Sequence, residues 1–235
     1  MPCPYIPCVR TEARTFIGHF AVALAAKRVA PRTSLGTLFV APMLADLLWP
    51  VFLLLGWEQA RVVPGPNPFL VLWLDDFPIS HSLVTLIAWG ALFAWLYRMR
   101  TGYARGALVV GLLVFSHWVL DLVTHRPDMP LYPGSVEVGL GLWNSVAGTL
   151  IVEGVLFAGG VAVYAKATRP RDGGGRYGFW ALVLVLAGSY ASSLFSPPPQ
   201  NMTALATFAV VFGWLFVLFG WWVDRHREGV AATGA

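Results

Sequence analysis

Residues 202–223 carry no charged side chain, and residues 35–56, 106–125 and 144–165 are nearly as apolar. Stretches of this length cross a bilayer as helices, where each backbone N–H and C=O is satisfied inside its own segment. Over the whole chain 57% of residues are hydrophobic and only 12% charged, against about 25% charged in soluble domains. The sequence therefore reads as an integral membrane protein, all-α, a polytopic bundle of six to seven membrane segments. Eleven Trp and seven Tyr suit two interfacial belts. The net charge of +4 does not point to nucleic acid, because the Lys and Arg are scattered through short connectors.

The expected organisation is a leader over 1–12 without regular structure, one helical membrane domain over 13–226 and a tail over 227–235. Cys3 and Cys8 lie in the leader, at a spacing that fits neither a zinc nor a thioredoxin pattern. The apolar segments are 13–30 (short for a span), 35–56, 82–97, 106–125, 144–165, 177–195 and 202–223. Between them, 57–80 and 126–143 are Pro- and Gly-rich loops, expected to lie over the site as a lid. Residues 166–176 are a charged, Gly-rich connector. If the connectors near 27–33, 98–105 and 166–176 and the tail face the cytoplasm, only Arg10, Arg14, Arg61 and Arg126 lie outside, as the positive-inside rule requires. Seven crossings then put the N-terminus outside.

That orientation collects the ionisable groups. His117 and Asp121 are four residues apart, about 40° around a helix, so one ion reaches both. With His19, Asp46 and His81 they converge on the outer half of the bundle. Ionisable groups at membrane depth are costly and mark a polar cavity, a pair or a bound ion. Imidazole with carboxylate is the ligand set of zinc, manganese or ferrous iron, and a bound divalent ion acidifies a coordinated water, which makes hydrolysis the natural reaction class. The expected ligands are His19, Asp46, His81, His117 and Asp121, with Asp46 or Asp76 as general base and zinc as the first choice of ion. Ser80, Ser82 and Ser116 are placed to orient imidazoles. His125 reads as a helix-end residue, Asp75 and Asp76 as a solvated pair, and Glu153 as either an arginine partner or a member of the site.

Taken in order, Gly18-His19-Phe20, the Pro42 segment ending in Asp46, Ile79-Ser80-His81-Ser82-Leu83 and Ser116-His117-Trp118-Val119-Leu120-Asp121 resemble the bacterial membrane-bound metal-dependent hydrolases, a family of LexA-regulated inner-membrane proteins. The resemblance spans roughly residues 15 to 145. It implies a bacterial inner-membrane setting and a metal site, without a substrate. The chain departs from the pattern in three places. Pro42-Met43-Leu44-Ala45-Asp46 has one acidic residue where the family has two. Asp76-Phe77-Pro78 stands where the family has His-Arg-Gly, and Thr124-His125-Arg126-Pro127 replaces Thr-Pro.

The first expectation is thus a membrane-embedded metal-dependent hydrolase acting on an ester, phosphoester or amide of a lipid or other membrane-resident substrate. The alternatives are a small-solute or metal-ion transporter and a non-catalytic accessory subunit. Membrane lipids are the expected partners, nucleic acid is not, and the sequence leaves the oligomeric state open.

Overall fold

The computed structural model describes residues 17–63, 67–70, 72–195 and 201–230. The expected leader with its two cysteines lies outside them. The described residues are mostly helical, and α6, α7 and α9 below are each long and apolar enough to cross a membrane.

The chain opens with α1 (Ile17–Ala26), a ten-residue helix buried on nearly every side. The second apolar segment, expected as one span over 35–56, is instead two helices, α2 (Leu35–Val40) and α3 (Leu44–Leu54). Pro42 accounts for the break: it has no N–H to donate and its ring collides with the preceding turn. Ser34 caps α2 by accepting from Thr37 N at 3.1 Å. Residues expected as an irregular loop then form an antiparallel hairpin, β1 (Gln59–Val62) with β2 (Leu72–Asp76). Phe69 and Leu70, between the two strands, are buried.

A single turn, α4 (Pro78–His81), leads into α5 (Leu83–Thr101), capped by Ser82 through Thr85 N. Gly102, at φ +69, closes α5 in the left-handed conformation and reverses the chain into α6 (Ala104–Thr124). The short pair β3 (Met129–Pro130) and β4 (Glu137–Val138) precedes α7 (Val146–Ala167). After β5 (Thr168–Pro170) comes α8 (Gly173–Ser193), and after it α9 (Met202–Arg225). The glycines expected in a connector are the first turn of α8, with Asp172 accepting from Gly175 N at 2.8 Å. Residues 227–229, expected in a free tail, form β6 (Arg227–Gly229) and pair with β5.

Helix α1 packs on α7, α5 on α6, and α2 and α3 both on α9. The α1–α7 contact is so close that a Cβ at Gly160 would overlap the backbone of Ala21. Gly160→Ala is therefore expected to cost about 1–3 kcal/mol, read as a lowered thermal midpoint in detergent. Leu108, Leu112, Ile151, Val155, Leu184, Phe208 and Leu215 point outward from α6 to α9, as a lipid-facing surface requires.

The two ends of the bundle differ in chemistry. At one end the basic connectors meet. Arg32 lies over the Tyr103 ring at 4.7 Å, and Thr33 Oγ1 bonds Tyr97 Oη at 2.9 Å. Lys27 Nζ donates to Asp224 Oδ2 at 2.7 Å and to Thr33 O at 2.9 Å. Arg227 donates to Thr168 and to Gly175 O. At the other end the two hairpins and α4 gather. Arg126 Nη2 donates to Leu72 O at 2.8 Å, and Asn67 Nδ2 to Trp143 O at 3.1 Å, so the two Pro-rich loops are joined to each other. His19, His81, His117 and His125 lie on this second side, whereas His226 caps α9 at the first.

Candidate metal centre

Four elements supply the polar side chains: α1 gives His19, α3 gives Asp46 in its first turn, α4 gives His81, and α6 gives His117 and Asp121, with His125 as its C-cap. The break at Pro42 does two things for them. It starts a new helix whose positive N-terminal end faces the Asp46 carboxylate. It also turns the Pro42 carbonyl toward α6, where it meets His117 Nδ1 at 2.7 Å.

A carbonyl can only accept, so His117 donates from Nδ1 and in the neutral ring keeps its lone pair on Nε2. That Nε2 stands 2.9 Å from Asp121 Oδ2, yet it has no hydrogen-bond partner among the described residues. With the ring neutral, this nitrogen and the carboxylate oxygen are both acceptors. They repel unless a cation, or an added proton, sits between them.

The same arrangement recurs twice. His81 Nδ1 lies 2.6 Å from Ser80 Oγ, and its Nε2 is 3.6 Å from Asp46 Oδ1. His125 Nδ1 donates to Asp128 Oδ1 at 2.9 Å, leaving Nε2 3.9 Å from Asp121 Oδ2. His19 completes the cluster from α1, with Nε2 3.3 Å from Asp121 Oδ1 and both ring nitrogens buried without a hydrogen-bond partner. Buried polar atoms are nearly always paired, and a cation, or a proton shared with Asp121, would pair the Nε2 atoms here.

Two triads have ligand atoms mutually within 4.8 Å: His19, His117 and Asp121, and Asp46, His81 and His117. His117 belongs to both. Its ring lies 4.3 Å from that of His19 and 5.0 Å from that of His81. Two ligands held at about 2.1 Å on a tetrahedral ion stand about 3.4 Å apart. The His19–Asp121 and His81–Asp46 distances of 3.3 and 3.6 Å match that spacing. The residues present therefore fit a divalent ion.

Access is one-sided. The Asp46 side chain is 33% exposed, against 5% for Asp121 and 1% for His117. All five expected ligands come together. Asp76 joins neither triad: it is exposed on β2, paired in register with Gln59. Its charge is felt instead by Glu137, whose carboxyl is pushed above its usual range by burial and then by Asp128 and Asp76. Asp76, the expected alternative to Asp46 as general base, thus lies on the exposed side of the hairpin. Of the three serines, only Ser80 touches a histidine; Ser82 caps α5 and Ser116 bonds Leu113 O. Glu153 accepts from Gly18 N at 2.9 Å and so anchors the start of α1 beside His19.

Three residues escaped the sequence reading. Asp128 and the Pro42 carbonyl hold imidazoles. Glu58 accepts from Ser80 Oγ at 2.7 Å and from the backbone N–H groups of Ile79 and Ser80 at 2.8 Å each. Only Asp128, three residues past His125, left a local signal; Glu58 is brought in by the hairpin. Searches against protein-family models, curated proteins and solved structures find no match to this chain.

Proposed function

We propose that the protein is a membrane-embedded metal-dependent hydrolase. Its substrate would be an ester, phosphoester or amide of a lipid or another molecule that partitions into the bilayer. The observation that carries this reading is the repeated tether: His81, His117 and His125 are each fixed at Nδ1, so that each Nε2 faces Asp46 or Asp121. Outer hydrogen bonds of this kind fix tautomer and ring orientation in metal centres. The resemblance of residues 15 to 145 to bacterial inner-membrane hydrolases points the same way.

His19, His81, His117, Asp46 and Asp121 would hold zinc, with manganese or ferrous iron as alternatives. A bound divalent ion supplies Lewis-acid polarisation and an acidified water. Asp46, at the accessible edge, can hold the ion with one carboxylate oxygen and take a proton with the other. Six or seven membrane segments, with the basic end in the cytoplasm, follow from the positive-inside rule and put the histidine end in the outer half of a bacterial inner membrane. The joined outer loops then cover the site.

A transporter reading is disfavoured by what lies between the two ends. Phe20, Leu24, Leu38 and Phe39 are fully buried there, and the Lys27–Asp224 pair beyond them is hydrogen-bonded. A transport path needs polar groups on both sides of its site.

The test is a panel of lipid-like esters, phosphoesters and amides presented in mixed micelles to zinc-loaded protein. Wild type is expected to release product, to lose this activity to a chelator and to regain it with zinc. Asp46→Asn is expected to be inactive. No turnover of any class by the loaded wild type would count against hydrolysis.

A further inference from the structure

The geometry points to Glu58 as a positioning residue of the metal centre, acting through Ser80 to set which nitrogen of His81 carries the proton. The proposal rests on the metal reading for its effect on affinity. The tautomer it assigns can be read without any metal.

Glu58 is buried, as are Ser80 and His81. Glu58 Oε1 accepts two backbone N–H groups, from Ile79 and Ser80, at 2.8 Å each. Its Oε2 lies 2.7 Å from Ser80 Oγ. A carboxylate only accepts, so Ser80 spends its single proton on Glu58. The other acceptor in reach of that hydroxyl, Phe77 O at 3.5 Å, leads to the same result. Ser80 Oγ must then accept at its 2.6 Å contact with His81 Nδ1. His81 consequently carries its proton on Nδ1 and presents a bare Nε2 toward Asp46 Oδ1, 3.6 Å away. One buried carboxylate both fixes the turn that carries His81 and sets the polarity of the imidazole.

Glu58→Gln inverts this polarity with almost no change of shape. The two backbone N–H groups require an acceptor, so the amide oxygen faces them and the amide NH2 faces Ser80. Ser80 Oγ then accepts from the amide, and with Phe77 O only at the 3.5 Å limit of reach its proton goes to His81 Nδ1, 2.6 Å away. The proton of His81 moves to Nε2, pointing at Asp46, where it blocks a metal ligand. Ser80→Ala cuts the link while leaving the two backbone bonds to Glu58 in place.

The experiment is 15N NMR of histidine-labelled, metal-free protein in detergent, beside zinc titrations of the same samples. Wild type is expected to show His81 protonated on Nδ1, and Glu58→Gln to show it protonated on Nε2 with zinc binding weakened about 10- to 100-fold, the usual cost of losing an outer partner. Ser80→Ala is expected to mix the tautomers. In that background Glu58→Gln should have no further effect on zinc, the non-additivity expected of residues acting in series. An Nδ1 proton on His81 in both wild type and Glu58→Gln would overturn the proposal, as would full additivity of the two substitutions. Should Glu58→Gln fail to fold, an unmixed Nδ1 tautomer in Ser80→Ala would overturn it equally. A tautomer that inverts in protein with no affinity for zinc would uphold the role of Glu58 and count only against the metal reading.

Discussion

Asp121→Asn is expected to weaken zinc binding by more than about 100-fold, beyond the loss that removing an outer partner brings, and to abolish hydrolysis while the protein still folds. Among the described residues, Asp121 is the one carboxylate that three imidazoles face. Its Oδ1 is 3.3 Å from His19, and its Oδ2 is 2.9 Å from His117 and 3.9 Å from His125. Asparagine keeps the volume, so the packing of α6 against α1 is undisturbed. It removes the negative charge, and whichever way the amide turns, one of its two ends becomes a donor. Competition titration with a zinc indicator reads the affinity, and circular dichroism reads the helix content. Unchanged zinc affinity in the variant would remove Asp121 from the ligand set.

Asp224→Ala is expected to be the most destabilising single change, at about 3–5 kcal/mol, the usual cost of removing one partner from a buried ion pair. Asp224 Oδ2 accepts from Lys27 Nζ at 2.7 Å and from Leu35 N at 3.1 Å, and its Oδ1 from Tyr164 Oη at 3.2 Å. One carboxylate therefore joins the end of α9 to the turn after α1, to the start of α2 and to α7. Alanine leaves the Lys27 ammonium buried with only Thr33 O, and uncaps the first N–H of α2. The thermal midpoint in detergent should fall by roughly 10 °C. Lys27→Met in the same background should recover part of the loss, because the uncompensated charge goes with it. A midpoint within a degree of wild type would mean that the pair contributes nothing.

The helices were legible wherever composition alone decides. Residues 82–97, 106–125, 144–165 and 202–223 each fall within a helix, extended or shifted by a few residues at the ends. His117 and Asp121 were legible for the same reason, since helical spacing fixes their common face. The sequence misled where one residue outweighs the composition of its neighbours. The apolar run 35–56 looks continuous, and Pro42 divides it. Gly173 to Gly175 look like a linker, but Asp172 caps them into a helix and the backbone of His226 lies against Gly175, where a Cβ would not fit. That contact comes from residues far along the chain, as do the β5–β6 pairing and the approach of Glu58 to Ser80. A local pattern does not encode such meetings. They follow from which helices pack together, and that is set by side chains on separate segments. The exposure of Asp76 has the same origin, because closeness in sequence to His81 does not reveal the extended geometry of β2, which leaves its side chain exposed.

If His19, Asp46, His81, His117 and Asp121 hold a divalent ion, elemental analysis of the detergent-purified wild type, beside His117→Ala, will find it. His117 is the residue common to both triads, so its removal should empty either one. Zinc, manganese or iron is expected at about one or two ions per chain in the wild type and none in the variant. A wild type without metal even after reconstitution, or a variant that retains its full complement, would contradict the account and leave the cluster as a packing network between helices.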